Sequence, residues 1–370
     1  MEAEHRQDEG PDAEGRAALW TALEELASRV SADVRRQVEA AHHQGGATTL
    51  AGIAGQGAGD TTFVLDQGPE AAVQAWAEEQ ATRGPLSVLT EDAGWRHLGP
   101  GPDGTPAELP GFDHGGPCVV VDPVDGTRGL MFDLRAAWVA IAAVPPRPSG
   151  AGPPRLAEAA LGLLLELPTS RGGRACRLRG WSAGWAPPEA PGVDERGCLE
   201  DLLDLPPAAT RLSTYPLAAD ADDRVDRGFF PVFRYHPAQR RLLAELEEDL
   251  FARLERHEGA HLRDVYDDQY ICNAGQLALL AQGRYRMCAD LRAVLPRHDG
   301  GPPVTSKPYD VAGAVVCARG AGAVVHGPDG RDLDVPLDAT TPVAWCGYHN
   351  DATAARIAPH VAGALDARRG

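Results

Sequence analysis

The densest chemistry in the chain lies in the run Val119-Val120-Val121-Asp122-Pro123-Val124-Asp125-Gly126-Thr127. An apolar, strand-like segment ends in two carboxylates three residues apart, with a proline between them and Gly-Thr after them. Pro123 fixes its own φ, so a turn here can aim both acids outward at the strand's carboxyl end. Gly126 permits close backbone approach, and Thr127 offers a hydroxyl and an N–H to an anion. Oxygen-only ligands on a short, stiff turn suit Mg²⁺ or Mn²⁺, which often bind together with a substrate phosphate. An EF-hand is excluded, because its glycine is sixth and its last ligand a Glu at position twelve; here Gly126 is fifth and Asp133 twelfth. The Asp-x-Asp-x-Thr pattern of covalent aspartyl-phosphate enzymes is excluded by the Asp-x-x-Asp spacing. A Pro-Gly turn with incidental acids is the plain alternative.

Weaker candidates surround this run. Gly55-Gln56-Gly57-Ala58-Gly59 looks like a nucleotide loop, but no clear strand precedes it and no Lys-Ser/Thr follows. Asp264, Asp267 and Asp268 read as a solvated face before a cation site. His42, His43, His236 and His349 have no metal-ligand spacing with cysteine and read as surface or loop residues. The seven cysteines lack any Cys-x-x-Cys pair, which fits reduced thiols in a cytosolic protein.

The elements that must position these residues follow from periodicity. Residues 1–15 read as a disordered tail. Leu19, Leu23, Leu26, Val30 and Val34 mark an amphipathic helix from 16 to about 41. Residues 45–60 are too glycine-rich for a regular element. A strand is expected at 61–65, a helix at 70–80, a strand at 85–90 ending at Glu91-Asp92, and a loop from 99 to 117. Strands follow at 118–121, 136–144 and 159–167. Residues 181–230 read as a variable insertion. Helices are expected at 239–258, 275–282 and 311–318, the last beginning just after Asp310. Strands and helices mixed without regular βαβ alternation favour an α+β or layered α/β fold.

Composition sets the outer limits. The 370 residues carry 35 Lys+Arg against 53 Asp+Glu, a formal net charge of −18. Such acidity argues against nucleic acid or an anionic membrane as partner. The N-terminus lacks an apolar signal core, and the longest uncharged apolar run, 136–144, is too short to span a bilayer. A soluble, cytoplasmic protein is expected.

With these residues in place, the chain resembles the inositol monophosphatase/fructose-1,6-bisphosphatase superfamily of metal-dependent, often lithium-sensitive phosphatases. Asp122 to Thr127 matches its Asp-Pro-(Ile/Leu/Val)-Asp-Gly-(Thr/Ser) motif. Asp60 to Asp66 matches its Asp-x₅-Asp element, Thr90-Glu91-Asp92 its Gly-Glu-Glu, and Tyr309-Asp310-Val311-Ala312-Gly313 its Trp-Asp-x-Ala-(Ala/Gly). The resemblance implies an αβαβα sandwich with an N-terminal half (16–180) bearing metal motifs and a C-terminal half (181–370) bearing substrate-side residues. It implies that Glu91, Asp122, the Val124 carbonyl, Asp125 and Asp310 hold two or three Mg²⁺ ions, with Mn²⁺ as a substitute. Glu91 and Thr127 would orient the attacking water, Asp66 would support Thr127, and the Gly126 and Thr127 N–H groups would hold phosphate. By gapless alignment Asp290 falls where the family grips a substrate hydroxyl, and Arg128-Gly129 is similar to the nucleotide 3′-phosphatase branch. The implied activity is hydrolysis of a small phosphorylated polyol or sugar, with a 3′-phosphoadenosine 5′-phosphate phosphatase as the alternative. A catalytically silent metal-binding or regulatory protein on the same fold is the alternative from another class. A homodimer is the implied assembly. The Pro/Gly-rich segment 292–306 reads as a lid or decoration.

Overall fold

Alternation along the central strands sets the architecture. In the computed structural model, which describes residues 13–44, 50–56, 61–148, 150–170, 172–188, 195–203, 210–219, 221–234, 236–301 and 304–368, successive side chains of these strands enter two different cores. Val119, Val121, Val139, Ile141, Leu163 and Leu165 face one way, and Val120, Ala140, Ala142 and Leu164 the other. Both faces are buried, which explains the near-continuous apolar runs.

A hairpin of β1 (Ile53–Gln56) and β2 (Thr61–Phe63) precedes the main sheet. That sheet contains β3 (Leu86–Thr90), β4 (Gly94–Pro100), β5 (Pro106–Glu108), β6 (Cys118–Asp125), β7 (Ala137–Val144), β8 (Leu161–Leu167), β9 (Arg174–Trp181), β10 (Gly197–Leu203) and β11 (Thr210–Pro216). Its order is β11-β10-β9-β8-β7-β6-β3-β4-β5. Every neighbouring pair is antiparallel except β3 and β6, which run parallel with Leu89 opposite Val120. That one parallel pairing brings the carboxyl ends of β3 and β6 side by side. After the short parallel pair β12 (Arg227–Phe229) and β13 (Asp264–Tyr266), a second antiparallel sheet forms from β14 (Met287–Asp290), β15 (Val324–His326) and β16 (Trp345–Tyr348).

Helices fill the remaining layers. α1 (Ala13–Gln44) and α2 (Val64–Ala81) cover one face of the large sheet through Leu23, Leu26, Val30, Val73 and Trp76. Beyond the short α3 (Thr127–Met131) and α4 (Arg240–Arg253) come α5 (Asn273–Ala281) and α6 (Pro308–Gly320), which lie between the two sheets. α4 and α7 (Asp351–Asp366) cover the outer face of the small sheet through Leu243, Leu246, Leu250, Ile357 and Val361. The stack is an αβαβα sandwich, as the resemblance implied.

α6 sits unusually close to the sheet. A Cβ added to Gly313 would lie 2.5 Å from the Ile141 carbonyl oxygen, and one added to Gly180 of β9 would lie 2.5 Å from Cys317 Cα. Only glycine allows this backbone-on-backbone contact, which accounts for the small residues following Asp310.

Several expectations need correction. Helix α1 already includes residues 13–15, and residues 1–12 lie outside the described residues. The stretch 45–60 contains strand β1, paired to β2; Asp60 and the Gly57–Gly59 part of the nucleotide-loop lookalike are outside the described residues. β5 interrupts the expected 99–117 loop. Residues 181–230 are no appendage: they supply β10 and β11, whose Glu200 is buried against Arg177, Arg179 and Arg211. A division at residue 180 therefore falls inside the large sheet. His349 is buried, not a surface residue, and Asp267 and Asp268 pair with Arg234 and Arg135.

Candidate active site

The parallel β3/β6 pair places Glu91, just past β3, beside the carboxyl end of β6. Pro123 cannot donate to a sheet ladder, and the β6–β7 register breaks between Asp122 and Asp125. The break aims both acids at one cleft. Asp122 is fixed by the Val124 N–H, which donates to its Oδ1 at 3.0 Å. Asp125 Oδ2 accepts from the Ala274 N–H at 2.5 Å at the start of α5, tying the cleft to the layer between the sheets. Asp310 lies inside the first turn of α6, not before it, and its Oδ2 accepts from the Lys307 N–H at 2.6 Å. Gly126 has φ +98° and presses on Cys272: a Cβ there would lie 3.2 Å from the sulfur.

These groups line a cleft of about 270 Å³ together with Thr127, Arg128, Phe233, Asn273, Arg292, Arg297, Ser306, Lys307 and Tyr309. Of the residues singled out from sequence, Glu91, Asp122, Val124, Asp125, Gly126, Thr127, Arg128 and Asp310 all border it. Asp66 stands immediately behind. The Thr127 Oγ1 lies 3.1 Å from Asp66 Oδ1 and 2.7 Å from the Val124 carbonyl oxygen, and its single proton can serve only one of them at a time. A narrow space of about 20 Å³ is lined by Asp66 and Thr127 with Glu70, Glu91, Asp92 and Asp122.

Charge is the dominant physical fact of the site. Burial, and then the neighbouring Asp125, Asp310 and Glu91, push Asp122 well above the usual carboxylate range. Burial, then Asp125 and Glu91, do the same to Asp310. Burial raises Asp125 to about 6 despite the N–H groups of α5 that oppose it. Burial likewise raises Asp66 to about 6, against its hydrogen bonds from Phe63 and Thr127. Acids crowded this way require either protons or cations between them. The donors are all hard oxygens, which fits Mg²⁺ or Mn²⁺. Among the described residues no three His, Cys, Asp or Glu side chains form a ready-made coordination sphere.

Asp290 departs from expectation. Its side chain is fully buried and absent from the cleft wall. Its Oδ1 accepts from Arg292 Nε at 2.8 Å, and its Oδ2 from Arg292 Nη2 at 2.6 Å and Ser306 at 2.5 Å. The acid expected to grip a hydroxyl instead holds an arginine, whose guanidinium lies 4.2 Å from the Phe233 ring centre. Segment 292–306 does line the cleft through Arg292, Arg297, Val304, Thr305 and Ser306, with 302–303 outside the described residues.

The sequence reading placed Tyr309 in a motif without giving it a task, and it missed Glu70. Tyr309 is buried and hydrogen-bonded to Glu91, so the aromatic before Asp310 also orients an acid across the cleft. Glu70 accepts a hydrogen bond from Thr90, the residue before Glu91. Its spacing of four from Asp66 on α2 was the available signal, since such residues share a helix face.

No protein-family model and no curated protein matches the sequence. Solved structures do resemble it. Fructose-1,6-bisphosphatase from Leishmania major aligns with a TM-score of 0.63 at 12% identity, over 97% of this chain and 96% of that one. An inositol monophosphatase–fructose-1,6-bisphosphatase gives 0.56 at 11%, over 91% and 98%. The extragenic suppressor protein SuhB from Bartonella henselae gives 0.55 at 14%, over 94% and 98%. At such identities the likeness is one of fold.

Proposed function

We propose that this chain, which has the inositol monophosphatase/fructose-1,6-bisphosphatase fold, is a Mg²⁺-dependent phosphomonoesterase acting on a small phosphorylated metabolite without a covalent phosphoenzyme. The observation that carries this reading is the convergence of Glu91, Asp122, Asp125 and Asp310 on one cleft, bordered by the Thr127–Asp66 pair. Bound Mg²⁺ would polarise the phosphoryl oxygens, neutralise developing charge and make water acidic enough to attack. Two or three ions suit four carboxylates and the Val124 carbonyl.

The chain's own groups do the rest. Thr127 accepts a proton from the attacking water and passes its own to Asp66, whose carboxyl, held near pH 6, is poised to take it. Glu91, steadied by Tyr309, orients the water from the other side. Backbone N–H groups of Gly126 and Thr127 hold the phosphate. The sequence suggested a polyol or sugar phosphate, but the withdrawal of Asp290 removes the residue chosen to grip a hydroxyl. Arg128, 5.3 Å from the Phe63 ring centre and lining the cleft, keeps the nucleotide 3′-phosphatase reading open.

The test is phosphate release from inositol 1-phosphate, fructose 1,6-bisphosphate, sugar monophosphates and 3′-phosphoadenosine 5′-phosphate, with Mg²⁺ and with chelator. Mg²⁺-dependent release from any of them supports the reading. Absence of release from all of them, or release that survives both chelation and Asp122→Asn, refutes it.

A further inference from the structure

A second polar cavity, of about 210 Å³, lies at the far end of α5 from the candidate active site. The first turn of α5 grips Asp125 through the Ala274 N–H, while Leu279 in its last turn and Gln282 just beyond it wall this cavity. A helix of 9 residues puts roughly 13 Å between its two ends. The large sheet supplies the floor. Asp125 pairs with Trp138 on β7, Trp138 with Glu166 on β8, and Cys176 on β9 with Asp201 on β10. Directly opposed residues on neighbouring strands share a face, and the last four of these five line the cavity.

The charges in it do not close on one another. Two half-buried acids, Glu166 and Asp201, share the cavity with two exposed arginines, Arg174 and Arg284. Elsewhere in the chain facing charges of this kind form ion pairs, as Arg177 does with Glu200 and Arg135 with Asp268. Here, among the described residues, none of the four has an ion-pair partner. Glu166 accepts the Cys176 N–H at 3.0 Å and Asp201 the Ser213 hydroxyl at 3.3 Å. Each carboxylate keeps lone pairs to spare. The Cys176 thiol is no nucleophile: burial, and then Glu166 beside it, push it well above the ordinary thiol range.

Elimination then points to a ligand class. A simple cation meets Arg174 and Arg284, a simple anion meets Glu166 and Asp201, and an apolar molecule satisfies neither pair. A molecule carrying both charges satisfies both, and Trp138, Leu199 and Leu279 offer an apolar wall to whatever joins them. The volume of about 210 Å³ equals roughly seven waters at about 30 Å³ each, which suits a small amino acid. We propose that this cavity binds a zwitterion, an α-amino acid with an aliphatic side chain, its ammonium on Glu166 and Asp201 and its carboxylate on Arg174 and Arg284. The site is independent of the phosphomonoesterase reading.

The test is calorimetric titration of the full chain in chelator with L-alanine, L-valine and L-leucine. Isoamylamine and 4-methylpentanoate, which keep the leucine side chain but drop the carboxylate or the ammonium, are the controls. At least one amino acid should bind one per chain and at least about tenfold more tightly than either control, the worth of a charged hydrogen bond. Arg284→Gln and Glu166→Gln should each weaken that binding about tenfold; Arg284 is exposed, so its replacement decides the matter if the Glu166 variant folds poorly. Isoamylamine binding as tightly as the amino acids would make this a cation site, and 4-methylpentanoate doing so an anion site; either result overturns the proposal. So does binding that Arg284→Gln leaves unchanged, or no binding of any of the three amino acids at tens of millimolar.

Discussion

Replacing Asp125 by asparagine should make the metal-free protein more stable while abolishing its response to Mg²⁺. Burial holds this carboxyl at about 6 instead of its ordinary 3.8. A raised acid favours the fold when protonated, so its full contribution is present below pH 3.8 and is lost as pH rises through 6. The ionised side chain therefore costs the metal-free fold on the order of 3 kcal/mol at pH 8, and progressively less at pH 5 and at pH 4. Asparagine keeps an oxygen to accept the Ala274 N–H but carries no charge. Unfolding entropy of about 2.1 cal/mol/K per residue over 370 residues converts 3 kcal/mol into a rise of roughly 4 °C in Tm. The assay is thermal unfolding in chelator at pH 8, 5 and 4, repeated with saturating Mg²⁺. Wild type should gain from the metal, by about 2.7 kcal/mol at a hundredfold excess over Kd, and the variant should gain nothing. A metal-free variant that melts at or below wild type at pH 8, with no pH-dependent gap, would refute the electrostatic argument.

Other expectations can be checked alongside. Asp122→Asn should lower Mg²⁺-dependent phosphate release by at least about a hundredfold, because it removes a central acid of the donor set; the measurement is initial-rate turnover over a Mg²⁺ titration. Thr127→Ala and Asp66→Asn should each slow kcat by about 10²–10⁴-fold, and the double variant should be no slower than the worse single one, since the two act as one proton path. Glu70→Gln keeps an acceptor for Thr90 and should be mild, whereas Glu70→Ala leaves the proton of that buried hydroxyl without its acceptor, although its oxygen still accepts from the Ala93 N–H, at a cost of about 1–3 kcal/mol read by denaturant unfolding. Gly313→Ala should destabilise the fold by about 1–3 kcal/mol and weaken Mg²⁺ binding, because its methyl group collides with the Ile141 carbonyl.

How much of this was legible in the sequence depended on whether a feature was local. The Asp122–Thr127 turn was legible because strand, proline, glycine and acids are contiguous. The neighbourhood of Glu91 and Asp122 came only through the resemblance and not from the residues' own pattern, because it arises from one parallel pairing in a sheet otherwise antiparallel, joined through the β4–β5 hairpin. Strands β10 and β11 were hidden because buried Glu200 and its arginines interrupt the apolar pattern that marks a strand. Asp290 was misread for a related reason. Alignment considered the acid alone, but Arg292 two residues on folds back to claim both carboxylate oxygens.

The seating of α6 against β7, β8 and β9 bears on how such a protein can evolve. Where helix and sheet meet through Gly313, Gly162 and Gly180, main chain rests on main chain, so no layer of side chains is available to be enlarged or trimmed. Mutational drift in the core has little means of altering the span between Asp310 on the helix and Asp122 on the sheet. Changes in what the cleft admits must then come from the loops at its mouth, above all the described residues of 292–307, while the spacing of its acids is kept as a fixed unit. The shape of the mouth and the spacing of the acids beneath it are thus free to vary independently.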